Sequence, residues 1–160
     1  MINMEGKVLS VCISSEKGTK KREVNSARLI PDWGIEGDAH ADSGHRQVSL
    51  LSVEEINKMK RLIPDLMPGD FAENIDTQGI DIDQIKIGDR IIIGDNIVLE
   101  VSQIGKECHS GCEIQKLTGE CIMPKKGVFT KVLKGGLVKR NDNLRVQMLT
   151  PQKFIKKIYL

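Results

Sequence analysis

Apolar and polar positions alternate along most of this chain, and the alternating segments are short. Residues 6–14 (GKVLSVCIS) are apolar and β-branched and run into the polar turn EKGTKK, which predicts a first strand with residues 22–30 as its hairpin partner. Pro31-Asp32-Trp33-Gly34 breaks the pattern, and residues 47–51 form the next apolar strand. One helix is predicted. Ser52 to Glu55 has the form of a capping box, Val53, Ile56, Met59, Lys60 and Ile63 make a helical stripe, and Pro64 ends it. A loop punctuated by Pro and Gly follows over 64–75, and residues 80–88 lead to two strands, 89–93 and 97–104, joined by the turn Gly94-Asp95-Asn96. Residues 128–133 have strand composition, Gly135-Gly136 is a turn, and residues 137–149 are expected to pair back across Arg140-Asn141-Asp142-Asn143. The last ten residues form a short amphipathic piece.

This pattern predicts a mainly β fold, a barrel or strongly curved sheet, with α+β character from one clear helix and short helical turns. A chain of 160 residues without internal repeats or linkers is expected to be one domain over 1–160, with its core at about 6–149. Composition excludes several function classes. A net charge of +2 and only five aromatic residues give no base-stacking surface or basic footprint, so no nucleic-acid partner is expected. No apolar stretch approaches membrane-spanning length and the N-terminus lacks a signal-peptide pattern, so a cytoplasmic protein without a membrane partner is expected. In that reducing compartment, four cysteines are thiols, ligands or nucleophiles before they are disulfides.

The chemistry concentrates in residues 105–136, which hold Cys108, His109, Cys112 and Cys121 among glycines and lysines. Thiolates and an imidazole can bind zinc, but structural zinc sites use two paired knuckles and here only Cys108 and Cys112 pair. A single working cysteine is the alternative. Cys112 follows Gly111 and opens a stretch, EIQKL, able to form a helical turn whose N-terminus favours a thiolate, with Lys106, His109 and Lys116 adding positive field. Such a thiolate is a soft-metal ligand, a nucleophile or a sulfur carrier. Lys125, Lys126, Lys131, Lys134, Lys139 and Arg140 follow it; a solvated strand face is the commoner role for any one of them, and their nearness to the thiol is what suggests a phosphate-bearing ligand. Cys12, alone in an apolar strand, is expected to act as a small hydrophobe, and Cys121 to be buried.

The ordered set Gly34-Ile-Glu-Gly-Asp-Ala-His40, His45-Arg46, Pro68-Gly-Asp-Phe-Ala-Glu-Asn-Ile75, Ile87-Gly-Asp89, Met123-Pro124, Gly127-Val-Phe129 and Val132-Leu-Lys-Gly-Gly136 resembles the MOSC domain. That module is named for the C-terminal part of molybdenum cofactor sulfurase and also occurs alone in small bacterial proteins. The resemblance implies a β-barrel-containing fold that binds the molybdopterin form of the molybdenum cofactor. It also implies a working cysteine at Cys112, with Cys108 as second choice, which ligates molybdenum or handles sulfur delivered to it. Arg46, Lys106 and Lys134 would hold the cofactor's phosphate, and His40, Glu73, Asn74 and His109 would line the pocket.

The sulfurase's pyridoxal-phosphate-dependent desulfurase domain has no room in this chain, so pyridoxal phosphate is not expected here and sulfur would come from a cysteine desulfurase partner. Reductase activity would need an electron-donor partner protein. Three readings stay open: a sulfurtransferase or molybdenum-dependent oxidoreductase subunit, a cofactor carrier or insertion protein without turnover, and a small zinc or redox-thiol protein. Glu73 and Asn74 have a plainer role available as braces of their own loop through backbone hydrogen bonds. The oligomeric state is not legible in the sequence.

Overall fold

The computed structural model describes residues 3–105 and 126–148. Eleven strands, one α-helix and one 3-10 turn form among them: β1 (Asn3–Ile13), β2 (Arg22–Val24), β3 (Ser26–Ile30), β4 (Gly34–Ile35), β5 (Val48–Ser52), α1 (Val53–Met59), β6 (Ile75–Gln78), the 3-10 turn Ile82–Gln84, β7 (Arg90–Ile93), β8 (Ile97–Ile104), β9 (Val128–Lys134), β10 (Gly136–Lys139) and β11 (Asn143–Gln147). The main sheet runs β11-β7-β8-β9-β5-β6-β1-β2, and β11 also pairs with β1, which closes seven strands into a barrel. Only β5 and β6 are parallel neighbours within it. A second sheet, β10-β3-β4, lies beside the barrel. No helix among the described residues is long and apolar enough to cross a membrane.

The alternation that predicted strands also sorts their side chains. From Ile97 to Val101 every second residue of β8 is buried, and Ile97, Leu99 and Val101 join Ile91 and Ile93 of β7 and Leu144 and Val146 of β11 in the barrel core. In β5 the rule sends Val48 and Leu50 into that core and Leu51 outward, where it joins Ile56, Met59, Leu66, Phe71 and Phe129 in a second cluster beneath α1. Ser49 shares the outward face with Leu51, and Phe129 holds the same position on β9. These two residues place the candidate site outside the barrel.

Three expectations change. The predicted hairpin partner over 22–30 divides at Asn25: β2 stays on β1, while β3 leaves for the second sheet. The edge of β1 explains the division, because Asn3 to Lys7 on that edge are already paired with β11 and only Val11 to Ile13 remain for β2. Residues 137–149 turn at Asp142 as expected but do not pair with each other, since β10 binds β3 and β11 closes the barrel between β7 and β1. The helix stops at Met59, with Lys60 as its C-cap, before the predicted Ile63. Residues preceding a proline are pushed out of helical geometry, and the N–H groups of Leu62 and Ile63 both turn onto the Met59 carbonyl.

At the other end of α1, the Ser52 hydroxyl accepts from the Glu55 N–H as the capping box predicts, while the Glu55 carboxylate turns to Lys58 at 3.1 Å. A seven-residue helix has little stability of its own, so the burial of Ile56 and Met59, about 1.5–3 kcal/mol each, holds it in place. Strand β6 has no counterpart in the sequence reading.

Candidate functional site

The outward faces of β5 and β9, loop 36–46 and the loop before β6 enclose a cavity of about 290 Å³. Lys17, His40, Asp42, His45, Arg46, Ser49, Asn74 and Phe129 are among its walls. The loop is shaped by two close approaches. Gly34, at φ +129°, lies so near the Gln47 carbonyl that a Cβ would come within 2.7 Å of it. Gln47, fully buried, then ties three segments together: its amide nitrogen donates to the Gly44 carbonyl at 2.8 Å and to Asp32 Oδ1 at 3.2 Å, and its oxygen accepts from the Val132 N–H at 3.0 Å. The histidine-bearing loop is therefore fastened to β9.

His45 and Arg46 leave this loop on the cavity side. His45 Nε2 faces Gln103 Oε1 at 2.6 Å, and the Gln103 amide nitrogen donates to the Gly105 carbonyl at 2.7 Å. The Ser102 hydroxyl donates to the His45 carbonyl. Arg46 lies over the Phe129 ring at 5.9 Å, a cation–π contact that orients an exposed guanidinium beside the cavity.

His40 is set by a buried ion pair. Lys21 Nζ donates to Asp38 Oδ1 at 2.7 Å, to Ser14 Oγ at 3.1 Å, and meets His40 Nδ1 at 2.9 Å. Both the Lys21 and Asp38 side chains are fully buried. The Ser14 and His40 N–H groups donate to the two Asp38 oxygens at 3.1 Å each. Burial pushes the Asp38 carboxyl up, but the Lys21 hydrogen bond and charge, with these two N–H groups, outweigh it and hold the carboxyl below its ordinary range.

Asn74 and Glu73, adjacent in sequence, do different things. Asn74 Oδ1 accepts from the Ser49 N–H at 3.0 Å and lies 3.2 Å from its hydroxyl, and its amide nitrogen donates to the Cys12 carbonyl at 3.0 Å, so it locks β1 to β5 at the cavity wall. Glu73 is fully buried and is not among the cavity walls. Its two oxygens accept from the Gly69 and Phe71 N–H groups at 3.1 Å each, the bracing role that short loops ask of a carboxylate. Gly69 has no alternative there, because at φ +89° a Cβ would strike the Lys21 carbonyl.

Behind Glu73 sits Asp76, also buried and bonded to the Ser10 hydroxyl at 2.9 Å. Burial first, then the mutual hydrogen bond and charge, push Glu73 well above the carboxylate range, and burial raises Asp76 as well. Both Glu73 oxygens already hold backbone N–H groups, whereas Asp76 Oδ1 has no donor. Two buried carboxyls side by side favour holding a proton between them over ionising together. Cys12 lies in the field of this pair, and burial, with Glu73 next, raises its thiol far above the usual value, consistent with an inert buried hydrophobe.

Of the candidates named from sequence, His40, Arg46 and Asn74 come together at one cavity, and His45 joins them. Lys134 ends β9 about five strand residues from Phe129, roughly 16 Å along the chain, and is not among the cavity walls. Cys108, Cys112, Cys121, Lys106 and His109 lie outside the described residues. The described flanks of their segment meet at the cavity end of the barrel: the Gly105 N–H donates to the Gly127 carbonyl at 2.7 Å, two residues beyond the Gln103–Phe129 pair. Among the described residues no group of three or more His, Cys, Asp or Glu could hold a metal ion.

Sequence reasoning passed over Lys21, Gln47, Ser49 and Gln103. None carries a spacing signal, and their roles depend on strands that meet only in the fold.

No curated protein matches the sequence. Among solved structures, the YuaD protein from Bacillus subtilis superposes with a TM-score of 0.80 over 93% of this chain and 99% of its own, at 22% identity. YiiM from Geobacillus stearothermophilus gives 0.69 over 96% of this chain and 83% of its own, at 19% identity. YiiM from Escherichia coli gives 0.63 over 94% and 72%, also at 19%. At these identities the likeness carries the fold. The sequence profile of the MOSC domain matches residues 37–145, a span that takes in nearly all of loop 36–46, the strands from β5 to β10 and the cavity walls from His40 to Phe129. On that match over more than half of its length, the chain belongs to the MOSC domain family, which is associated with molybdenum cofactor binding.

Proposed function

We propose that this chain binds the molybdenum cofactor in the cavity between loop 36–46 and the outward faces of β5 and β9. The cofactor would serve redox chemistry or receive sulfur through Cys112. The observation that carries this reading is the chemistry of the cavity walls. Lys17 and Arg46 supply positive charge, His40 and His45 supply ring nitrogens, and Ser49 and Asn74 supply hydroxyl and amide groups, with Asp42 the one carboxylate among the described wall residues. Such a donor set fits a molybdopterin, which presents a phosphate ester and a hydrogen-bonding pterin.

When bound, the cofactor would supply molybdenum as a centre for oxygen-atom or sulfur chemistry. This chain's residues would bind and orient it. Arg46, fixed over Phe129, would take the phosphate, and His40, His45 and Asn74 would face the rest of the ligand, with Lys106, His109 and Lys134 as further candidates from sequence. Cys112 belongs to a segment whose described flanks, Gly105 and Gly127, meet at the cavity end of the barrel. A thiolate there would act as a molybdenum ligand or a persulfide carrier, with an electron donor or a cysteine desulfurase as partner.

The test is the molybdenum and pterin content of the protein purified from a host that makes the cofactor, for wild type, Cys112→Ser and Arg46→Ala. Molybdenum and pterin should co-purify with wild type and fall in both variants. Retention without reduction of N-hydroxylated substrates, when electrons are supplied, would identify a carrier. Zinc in place of molybdenum, lost on replacing Cys108 or Cys121 as readily as Cys112, would overturn the proposal in favour of a thiol–metal protein.

A further inference from the structure

His45 is held by two consecutive residues of β8. The Ser102 hydroxyl donates to its backbone carbonyl, and Gln103 Oε1 lies 2.6 Å from its ring Nε2. A regular strand would send these two side chains to opposite faces. Here the register between β8 and β9 shifts: Val101 faces Thr130 and Gln103 faces Phe129, adjacent on β9, so Ser102 is an extra residue and β8 bulges. A bulge re-aims side chains, and in this one Ser102 and Gln103 both reach the same histidine of loop 36–46.

The orientation of the Gln103 amide follows from its other bond. Its nitrogen lies 2.7 Å from the Gly105 carbonyl, which can only accept, so Oε1 is the atom that faces His45. An amide oxygen likewise only accepts, and His45 Nε2 must carry the hydrogen. In the neutral ring Nδ1 is then bare, and it meets no protein partner among the described residues.

We infer that Gln103 is a positioning residue that locks His45 in the Nε2–H tautomer, so that the cavity presents a hydrogen-bond acceptor, His45 Nδ1, next in sequence to the donating guanidinium of Arg46. The inference rests on the cavity being the ligand site proposed above, and it names what that site selects: a ligand whose anionic group lies close to an N–H or O–H. Arg46, set over the Phe129 ring, can only donate and takes the anionic oxygens. A ligand atom without a hydrogen would turn a lone pair toward Nδ1 and lose that contact. Lys17 and Asp42 are the other charged groups of the described walls. Asp42 Oδ1 already accepts from the Gly44 N–H at 2.7 Å, and its second oxygen is the competing acceptor that the variants below separate from His45.

The tautomer can be read without any cofactor. The full chain labelled with ¹⁵N gives ring correlations for its three histidines, and His45→Phe assigns the signal of interest. At about pH 8, above the ordinary histidine value of about 6.5, wild type should show a single His45 tautomer with bare Nδ1 and protonated Nε2. Gln103→Leu, at a half-buried strand position, should fold, as checked by urea unfolding, and show a mixture of tautomers. An averaged or Nδ1–H signal in wild type, or an unchanged signature in Gln103→Leu, would overturn the assignment.

Two dianions of similar shape, hydrogen phosphate and sulfate, are the probes, because at this pH only hydrogen phosphate retains an O–H. Wild type should bind hydrogen phosphate at least several-fold more tightly than sulfate, read from the shifts of the His45 and Arg46 signals. His45→Phe should keep sulfate binding and lose the preference, and Gln103→Leu should narrow it. If neither anion moves a cavity signal while the single tautomer persists, the proposed anion site fails and the acceptor role falls with it. If wild type binds both equally, or the preference survives in His45→Phe, the cavity reading stands and the roles of His45 and Gln103 are refuted.

Discussion

Two buried charge clusters bond to neighbouring serines, one to Ser14 and one to Ser10 of β1, and handle the same problem in opposite ways. At the cavity, Lys21 and Asp38 bring opposite charges together and satisfy each polar atom that faces the pair. Beneath the loop before β6, Glu73 and Asp76 bring like charges together and remain compatible only by sharing a proton. A compensated pair can stay charged in a low-dielectric interior; an uncompensated one neutralises itself. The first arrangement leaves a polarised wall beside a cavity. The second leaves a brace that keeps Gly69 and Phe71 in place.

Breaking the compensated cluster should have the largest effect. Lys21→Met strands the Asp38 carboxylate in the interior and should cost about 3–5 kcal/mol in urea unfolding at neutral pH. Adding Asp38→Asn should recover most of that loss. A single variant as stable as wild type would mean that solvent reaches Asp38. Asn74→Ala comes next, since it orphans the Ser49 N–H and the Cys12 carbonyl at about 1–3 kcal/mol for each buried group left unpaired.

The pH dependence separates the two clusters by sign. Asp38, held low, contributes stability that is present above the ordinary aspartate value of about 3.9 and is lost as pH falls through its lower folded value. Glu73 and Asp76, held high, bind a proton that the unfolded chain releases, so their contribution declines as pH rises from the ordinary carboxylate range toward neutrality. Asp76→Asn takes away the second charge while burial of Glu73 remains, and should reduce that decline. Unfolding free energies of wild type and variant, compared from pH 4 to pH 8, should diverge in favour of the variant as pH rises; parallel curves would show that no proton is shared.

Arg46→Ala should change stability least, by about 0.5–1 kcal/mol for an exposed cation–π contact. Its effect should appear in molybdenum and pterin retention. Equal retention in the variant would move the phosphate contact elsewhere on the chain.

Much of the barrel was legible because alternation is a local signal. β1, β5, β7, β8 and β9 each fall within a few residues of the predicted strands, and the Ser52 cap bonds Glu55 as the sequence pattern requires. β6 was not legible, since a four-residue strand that pairs in parallel with β5 takes its identity from a neighbour on the far side of α1. The site divides in the same way. His40, Arg46 and Asn74 were found by their residue types and order, and Glu73 was found with them although its side chain braces the loop rather than lining the cavity. Lys21 was hidden in a basic turn beside Lys17 and Lys20, where sequence cannot tell the one buried lysine from its exposed neighbours.

The sequence by itself determined β1, β5, β7, β8 and β9, the helix cap and the family, because period-two patterning, capping chemistry and ordered motifs are properties of short stretches. The tertiary structure decided which edge of β1 each partner could occupy, which face of β5 carried Ser49 outward, and which lysine met Asp38. Those outcomes depend on competition among strands distant in sequence for the same hydrogen-bonding edge and the same buried space, and no local stretch encodes them.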